Sequence, residues 1–169
     1  MAICSKIIWG GKTHELRYTD TDSFSNLPKE KCRQIYGVCF CNDKLVIGFN
    51  GKKRTWSLIG GTVEIGETLE QALVREILEE SNMKVLKAVP IGYQIVISPD
   101  GVETLYQLRS CCIVKPIGPF VLDPNGSVTE IKLIEPLNYK KYFDWGEIGD
   151  CIINRAIKLR ENILTKDTG

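Results

Sequence analysis

The sequence predicts an α/β (α+β) fold: a sandwich in which a mixed sheet is covered by two main amphipathic helices. Three observations carry this expectation. Short strand-like runs dominate the chain. Two stretches, about 69–81 and 145–164, repeat apolar residues at helical spacing. A chain of 169 residues with 43% apolar and 25% charged side chains has enough material for one ordinary core. A single domain over residues 1–169 follows, with no internal repeat and no low-complexity linker.

Each element has its own local reason. Short runs at 6–9 and 14–18 flank Gly10 and Gly11, a turn pair, so residues 5–18 read as a hairpin. Residues 19–31 are polar, contain Pro28 and read as a connection. Residues 33–41 (RQIYGVCFC) form a buried strand that turns at Asn42, Asp43 and Lys44 and returns over 45–49. A basic run, Lys52, Lys53 and Arg54, leads into Trp56, Leu58, Ile59 and two glycines, Gly60 and Gly61. The first helix spans about 69–81, and Thr68 and Gln71 have capping-box spacing at its start. Strands follow at 84–89, 91–97, 103–114 and 128–134, with Pro99, Asp100 and Gly101 forming one of the turns. The second helix spans about 145–164, with Asp144 and Glu147 at capping-box spacing. Its apolar stripe is Ile148, Ile152, Ala156, Leu159 and Ile163.

Composition removes several function classes. Net charge is +1, from 22 basic and 21 acidic side chains, too little for a protein that holds duplex nucleic acid by neutralising phosphates. No apolar run is long enough to span a membrane. Seven cysteines with no CxxC pair, beside a single histidine, His14, argue against a Cys/His zinc site. Unpaired thiols and no leader-like start point to a cytoplasmic protein.

The first helix carries the chemistry. At about 100° per residue, Leu69, Ala72, Leu73 and Ile77 form its apolar face. Glu76 and Glu80 fall within that same arc, and Glu79 sits at its edge. Carboxylates turned toward a core lose solvation, and acids at i, i+3 and i+4 repel one another. A bound divalent cation resolves both costs, and an oxygen-only donor set suits a hard ion, Mg²⁺ or Mn²⁺.

From Gly61 the chain reads GTVEIGETLEQALVREILEESNM, ending at Met83. This 23-residue stretch resembles the Nudix box, G-x5-E-x7-R-E-U-x-E-E-x-G-U, where U is a bulky aliphatic residue. Eight of nine specified positions agree: Gly61, Glu67, Arg75, Glu76, Ile77, Glu79, Glu80 and Met83. Asn82 stands where the family has a glycine that ends the helix, and asparagine tolerates the left-handed conformation next best. The strand entering the box, Trp56 to Gly61, also looks like this family's, although Ile59 replaces a common proline.

The resemblance implies a Nudix-like α/β/α sandwich and hydrolysis of a diphosphate linkage in a nucleotide derivative by attack of water at phosphorus. It implies Mg²⁺ on Glu76, Glu79, Glu80 and the Gly60 carbonyl, with Arg75 and Glu67 paired and orienting those acids. The proton acceptor stays open between Glu76 and acids outside the box: Glu103, Asp123 and Glu130. Arg54, with Lys52 and Lys53, is a candidate for substrate phosphate. Trp56, Tyr93 and Tyr106 are candidates for stacking on a base or for plain packing. Residues 1–30 lie outside the usual pattern and are candidates for a pocket wall or a homodimer contact. The expected substrate is a nucleoside triphosphate or nucleoside diphosphate derivative. Alternatives are ADP-ribose or a nucleotide sugar, for which Pro99 is suggestive, and a catalytically idle ligand-binding domain. The retained box acids argue against idleness, and a lone histidine argues against an isoprenoid diphosphate isomerase.

Overall fold

The computed structural model describes residues 2–169. The chain folds as β1 (Ala2–Trp9), β2 (Lys12–Asp20), β3 (Cys32–Cys41), β4 (Lys44–Asn50), β5 (Thr55–Ser57), β6 (Ile59–Thr62), α1 (Leu69–Ser81), β7 (Met83–Ile97), β8 (Glu103–Pro116), β9 (Val128–Ile134) and α2 (Gly146–Lys166). All nine strands belong to one mixed sheet, ordered β1-β2-β7-β8-β3-β4-β5, with β6 on β3 and β9 on β4. Among the described residues only the β3–β8 pairing is parallel. Among the described residues no helix is long and apolar enough to cross a membrane.

Alternation along β3 and β8 builds two cores on opposite faces of the sheet. Val38, Phe40 and Cys111 face Ile148, Ile152, Ile153 and Ala156 of α2. Ile35, Cys39, Leu108 and Cys112 face Ala72, Leu73 and Ile77 of α1. A side chain at Gly37 would press on Ile77 and on the sulfurs of Cys39 and Cys112, so glycine there lets α1 settle onto the sheet. All seven cysteines are free, and the five on β3 and β8 are buried as small apolar groups.

One edge of β3 has two partners. Its first half, Gln34 to Gly37, pairs with β6, and its last residues, Cys39 to Cys41, pair with β4. The sheet forks there, and β6 carries Gly60 and Gly61 away from β4 and toward α1. The N-terminal hairpin extends the sheet through β2 on β7 rather than standing apart from it.

Some local expectations need correction. The runs at 84–89 and 91–97 are one strand, β7, with an irregularity between Pro90 and Gly92 where the register shifts. The box at the start of α2 does not form. Trp145 is the N-cap without a side-chain bond, and Asp144 Oδ1 instead accepts from the Gly146 N–H at 2.8 Å. Gly146 has φ +59, which tilts the entry away from capping-box geometry. In the stripe of α2, Leu159 is only half-buried while Ile153 is buried.

Candidate active site

Helix α1 begins with a formed capping box. Thr68 Oγ1 accepts from the Gln71 N–H at 3.1 Å, and Gln71 Oε1 accepts from the Thr68 N–H at 2.9 Å. It ends at Asn82, whose φ of 53° and ψ of 38° are left-handed. The Asn82 side chain donates to the Pro119 carbonyl at 2.7 Å and ties the helix end to the loop after β8. Both ends are therefore fixed, and the phase of the acidic side chains between them is fixed too.

Arg75 is the hub of those acids. Its guanidinium donates to Glu67 Oε1 at 2.6 Å and Oε2 at 3.0 Å, to Glu76 Oε1 at 3.1 Å, to Glu79 Oε2 at 3.3 Å and to the Thr62 carbonyl at 3.0 Å. Arg75 holds the Glu67 carboxyl below its ordinary range, and the Glu64 N–H helps by donating at 3.0 Å. Arg75 itself is held charged above its ordinary value, chiefly by Glu67.

The two inner glutamates have the opposite electrostatics. Burial pushes the Glu80 carboxyl up to about 7, against the pull of a 3.0 Å hydrogen bond from the Gly60 N–H to Oε2. Burial also raises Glu76, although Arg75 opposes it. Glu79, at the rim, is exposed. A Cβ on Gly61 would lie 2.7 Å from the Glu76 carboxyl, so this glycine is what leaves that carboxylate its place. Among the described residues no three His, Cys, Asp or Glu side chains are gathered into a ready-made metal cage. Glu76 and Glu79 are instead drawn to Arg75, and Glu80 to Gly60.

These acids line one large cleft of about 1710 Å³. Lys52, Lys53, Arg54, Trp56 and Asp123 line it as well. Asn50 Oδ1 accepts from the Lys52 and Lys53 N–H groups at 3.0 and 2.9 Å, and Arg54 closes that turn with φ +55. Trp56 is packed between Phe49 and Tyr142, with ring centroids 5.2 and 5.7 Å away.

Other candidates lie elsewhere. Glu103 accepts from Tyr106 Oη at 3.0 Å and faces Lys31 at 4.0 Å, away from the cleft. Glu130 is an exposed position of β9 opposite Phe49 and does not line the cleft. Tyr93 and Tyr106 stack on each other with centroids 5.7 Å apart and pack on the α1-side core. Pro99 sits in a plain hairpin turn closed by hydrogen bonds between Ser98 and Val102. Sequence reasoning missed a second group in the cleft: Tyr36, Gln94, Gln107, Arg109 and Trp145. One signal was available, a lone arginine inside the otherwise strand-like LYQLRSCCIV run of β8.

Comparison with known proteins bears on the family and the fold. A family model described as the NUDIX domain matches residues 33–138. The fold is similar to that of the Bacillus subtilis pyrophosphohydrolase BsRppH, with a TM-score of 0.65 and 16% identity over 87% of this chain and 92% of that one. It is also similar to MutT from Aliivibrio salmonicida and Vibrio cholerae, with a TM-score of 0.55 and 20% identity over 75% and 97% of the two chains. A 30-residue stretch is 57% identical to the NAD-capped RNA hydrolase NudC of Photorhabdus laumondii subsp. laumondii, covering 18% of this chain and 12% of that protein.

Proposed function

The chain belongs to the Nudix hydrolase family, and from that premise we propose that it hydrolyses a diphosphate linkage in a nucleoside triphosphate or nucleoside diphosphate derivative, with a divalent cation held by Glu76, Glu79 and Glu80. The carrying observation is that Glu76 and Glu80 are turned into a cleft wall at Gly61 and Gly60 rather than out to water. The donor chemistry fits a hard ion such as Mg²⁺, with Mn²⁺ as the alternative: oxygen ligands only, and two half-buried carboxylates of which Glu76 has Arg75 as its cation and Glu80 has only the Gly60 N–H.

A bound ion supplies charge neutralisation and a more acidic water. The chain's own residues do the rest. The Gly60 N–H fixes the Glu80 carboxylate, and Arg75, clamped by Glu67, orients Glu76 and Glu79. Lys52, Lys53 and Arg54 sit on the cleft rim where a polyphosphate tail is met by point charges. Water oxygen bonds to phosphorus, the bridging P–O bond breaks, and the proton released passes to a carboxylate. We assign that base to Glu76. Asp123 is the alternative, because of the three loop and strand acids Glu103, Asp123 and Glu130 it is the one that lines the cleft, and it adds to the repulsion felt by Glu80.

The test is incubation of the purified protein with Mg²⁺ and a panel of nucleotides, reading phosphate or pyrophosphate release. The wild type should release one of them from at least one nucleotide, and the Glu80→Gln variant should not. Equal activity of the two proteins, or none in the wild type, overturns the reading.

A further inference from the structure

Beyond the carboxylates the cleft runs across the α2-side face of the sheet, and there it is floored by a buried guanidinium that has no acid. Arg109 is 4% exposed. Its Nε has no hydrogen-bond partner, and its one hydrogen bond runs from Nη1 to the Leu108 carbonyl at 3.3 Å. Among the described residues no carboxylate is hydrogen-bonded to it. It lies instead over the Tyr36 ring, 4.7 Å from the centroid, with the Trp145 ring at 5.8 Å. A buried charge with unused donors is costly unless a ligand completes it.

The position of Arg109 relative to the box is set by register. Gly60 on β6, Tyr36 on β3 and Arg109 on β8 lie side by side on adjacent strands. Two strand spacings place the Arg109 backbone about 10 Å from Gly60, the reach of a nucleoside whose phosphates lie at the box. Beside Arg109 a row of amides crosses the same face. Gln94 Nε2 donates to Gln107 Oε1 at 2.7 Å, and Gln107 Nε2 donates to Gln34 Oε1 at 2.6 Å. That chain of donors leaves Gln94 Oε1 open as an acceptor. Ile3 and Leu16 of the N-terminal hairpin also line this part of the cleft.

We infer that Arg109 determines specificity by donating its planar fork to the O6 and N7 acceptors of a guanine-type base, while Gln94 Oε1 accepts from the opposite, donor edge. An arginine fork matches two adjacent acceptors of this kind, whereas adenine presents a donor in place of O6. Flat aromatic and aliphatic walls suit a base rather than a phosphate, and the exposed basic turn at 52–54, which lines the same cleft, is the phosphate contact proposed above. The inference rests on the nucleotide reading of the cleft given above.

The test separates the two readings by measuring binding without turnover. In EDTA, the wild type is titrated with the monophosphates of guanosine, inosine, adenosine and 2-aminopurine riboside, and with inorganic pyrophosphate. Guanosine and inosine monophosphates should bind about 5–150-fold more tightly than the other two nucleotides, the worth of one bidentate base contact. Arg109→Gln should lose that preference while leaving pyrophosphate binding unchanged. Equal binding of all four nucleotides, a preference that survives Arg109→Gln, or a loss of pyrophosphate binding in that variant overturns the inference. If the variant does not fold, the wild-type series alone decides. Base preference without hydrolysis of any nucleotide would sink the proposed reaction and leave this inference standing, and hydrolysis without base preference would do the reverse.

Discussion

The Gly60 backbone N–H donates a 3.0 Å hydrogen bond to Glu80 Oε2, joining the strand before the box loop to the last turn of α1. That bond survives when the carboxylate becomes an amide, because the amide oxygen still accepts. Glu80→Gln should therefore fold, and should melt no lower than the wild type without metal, since it removes a charge that burial disfavours. It should lose at least about 100-fold in activity, the upper end of what outer-sphere changes cost a metal site. Millimolar Mg²⁺ should raise the melting temperature of the wild type and should not raise that of this variant. An unchanged Mg²⁺ shift in a calorimetric scan would remove Glu80 from the ligand set.

The same carboxylate makes metal-free stability depend on pH. Burial raises Glu80 from the ordinary 4.5 to about 7 in the folded chain. The folded protein thus keeps a proton that the unfolded chain releases. Stability from this group is complete below about 4.5 and is lost as pH rises through about 7. In EDTA the melting temperature should fall between pH 5 and pH 8, and Glu80→Gln should flatten that slope. If Glu80 is a ligand as proposed, Mg²⁺ must displace its proton, so Mg²⁺ affinity should drop by about tenfold per pH unit below 7. A Mg²⁺ shift as large at pH 5.5 as at pH 8 would contradict this.

Asn82 tests whether the departure from the family's glycine is neutral. Its φ of 53° favours glycine, but its side chain holds the Pro119 carbonyl at 2.7 Å. Asn82→Gly should relieve the first and lose the second, and stay within about 1 kcal/mol of the wild type. Asn82→Ala keeps neither advantage and should cost about 2 kcal/mol, or about 4–8 °C in a domain this size. Thermal melts of the two variants decide it, and an alanine variant as stable as the glycine one would refute the account.

The box, its capping residues and the two-layer cover of the sheet were legible in the sequence because each is local. The Thr68–Gln71 box and the left-handed Asn82 depend on residues a turn apart, and the phase of Glu76 and Glu80 depends on one helix. What was not legible depends on pairing between strands distant in sequence. Tyr36, Gln94 and Arg109 come together only through the register of β3, β7 and β8. Asp123 was distinguishable from Glu103 and Glu130 only by where its loop lies. The failed box at Asp144 shows the limit of spacing alone: Gly146 in a left-handed conformation redirects the chain before Glu147 can reach back.

Gly60 and Gly61 are adjacent in sequence but should fail in different ways when given a methyl group. At Gly60 an added Cβ would run into the backbone of Ile35 and Tyr36, and φ is +151, so neither the strand nor the side chain can yield. Gly60→Ala should be destabilised by well over 1 kcal/mol and reduce soluble yield. At Gly61 the neighbour is the carboxyl end of Glu76, 2.7 Å from the added Cβ, and that end can rotate away. Gly61→Ala should keep its melting temperature within a few degrees in EDTA. Its Glu76 carboxylate would be displaced from the cleft wall, so Mg²⁺ affinity should fall at least about tenfold, as when a supporting contact of a metal ligand is lost. The measurement is the Mg²⁺ concentration needed for half of the stabilisation. If Gly61→Ala responds to Mg²⁺ as the wild type does, Glu76 does not need its present place to hold the ion, and the role we give it as ligand and base falls with it.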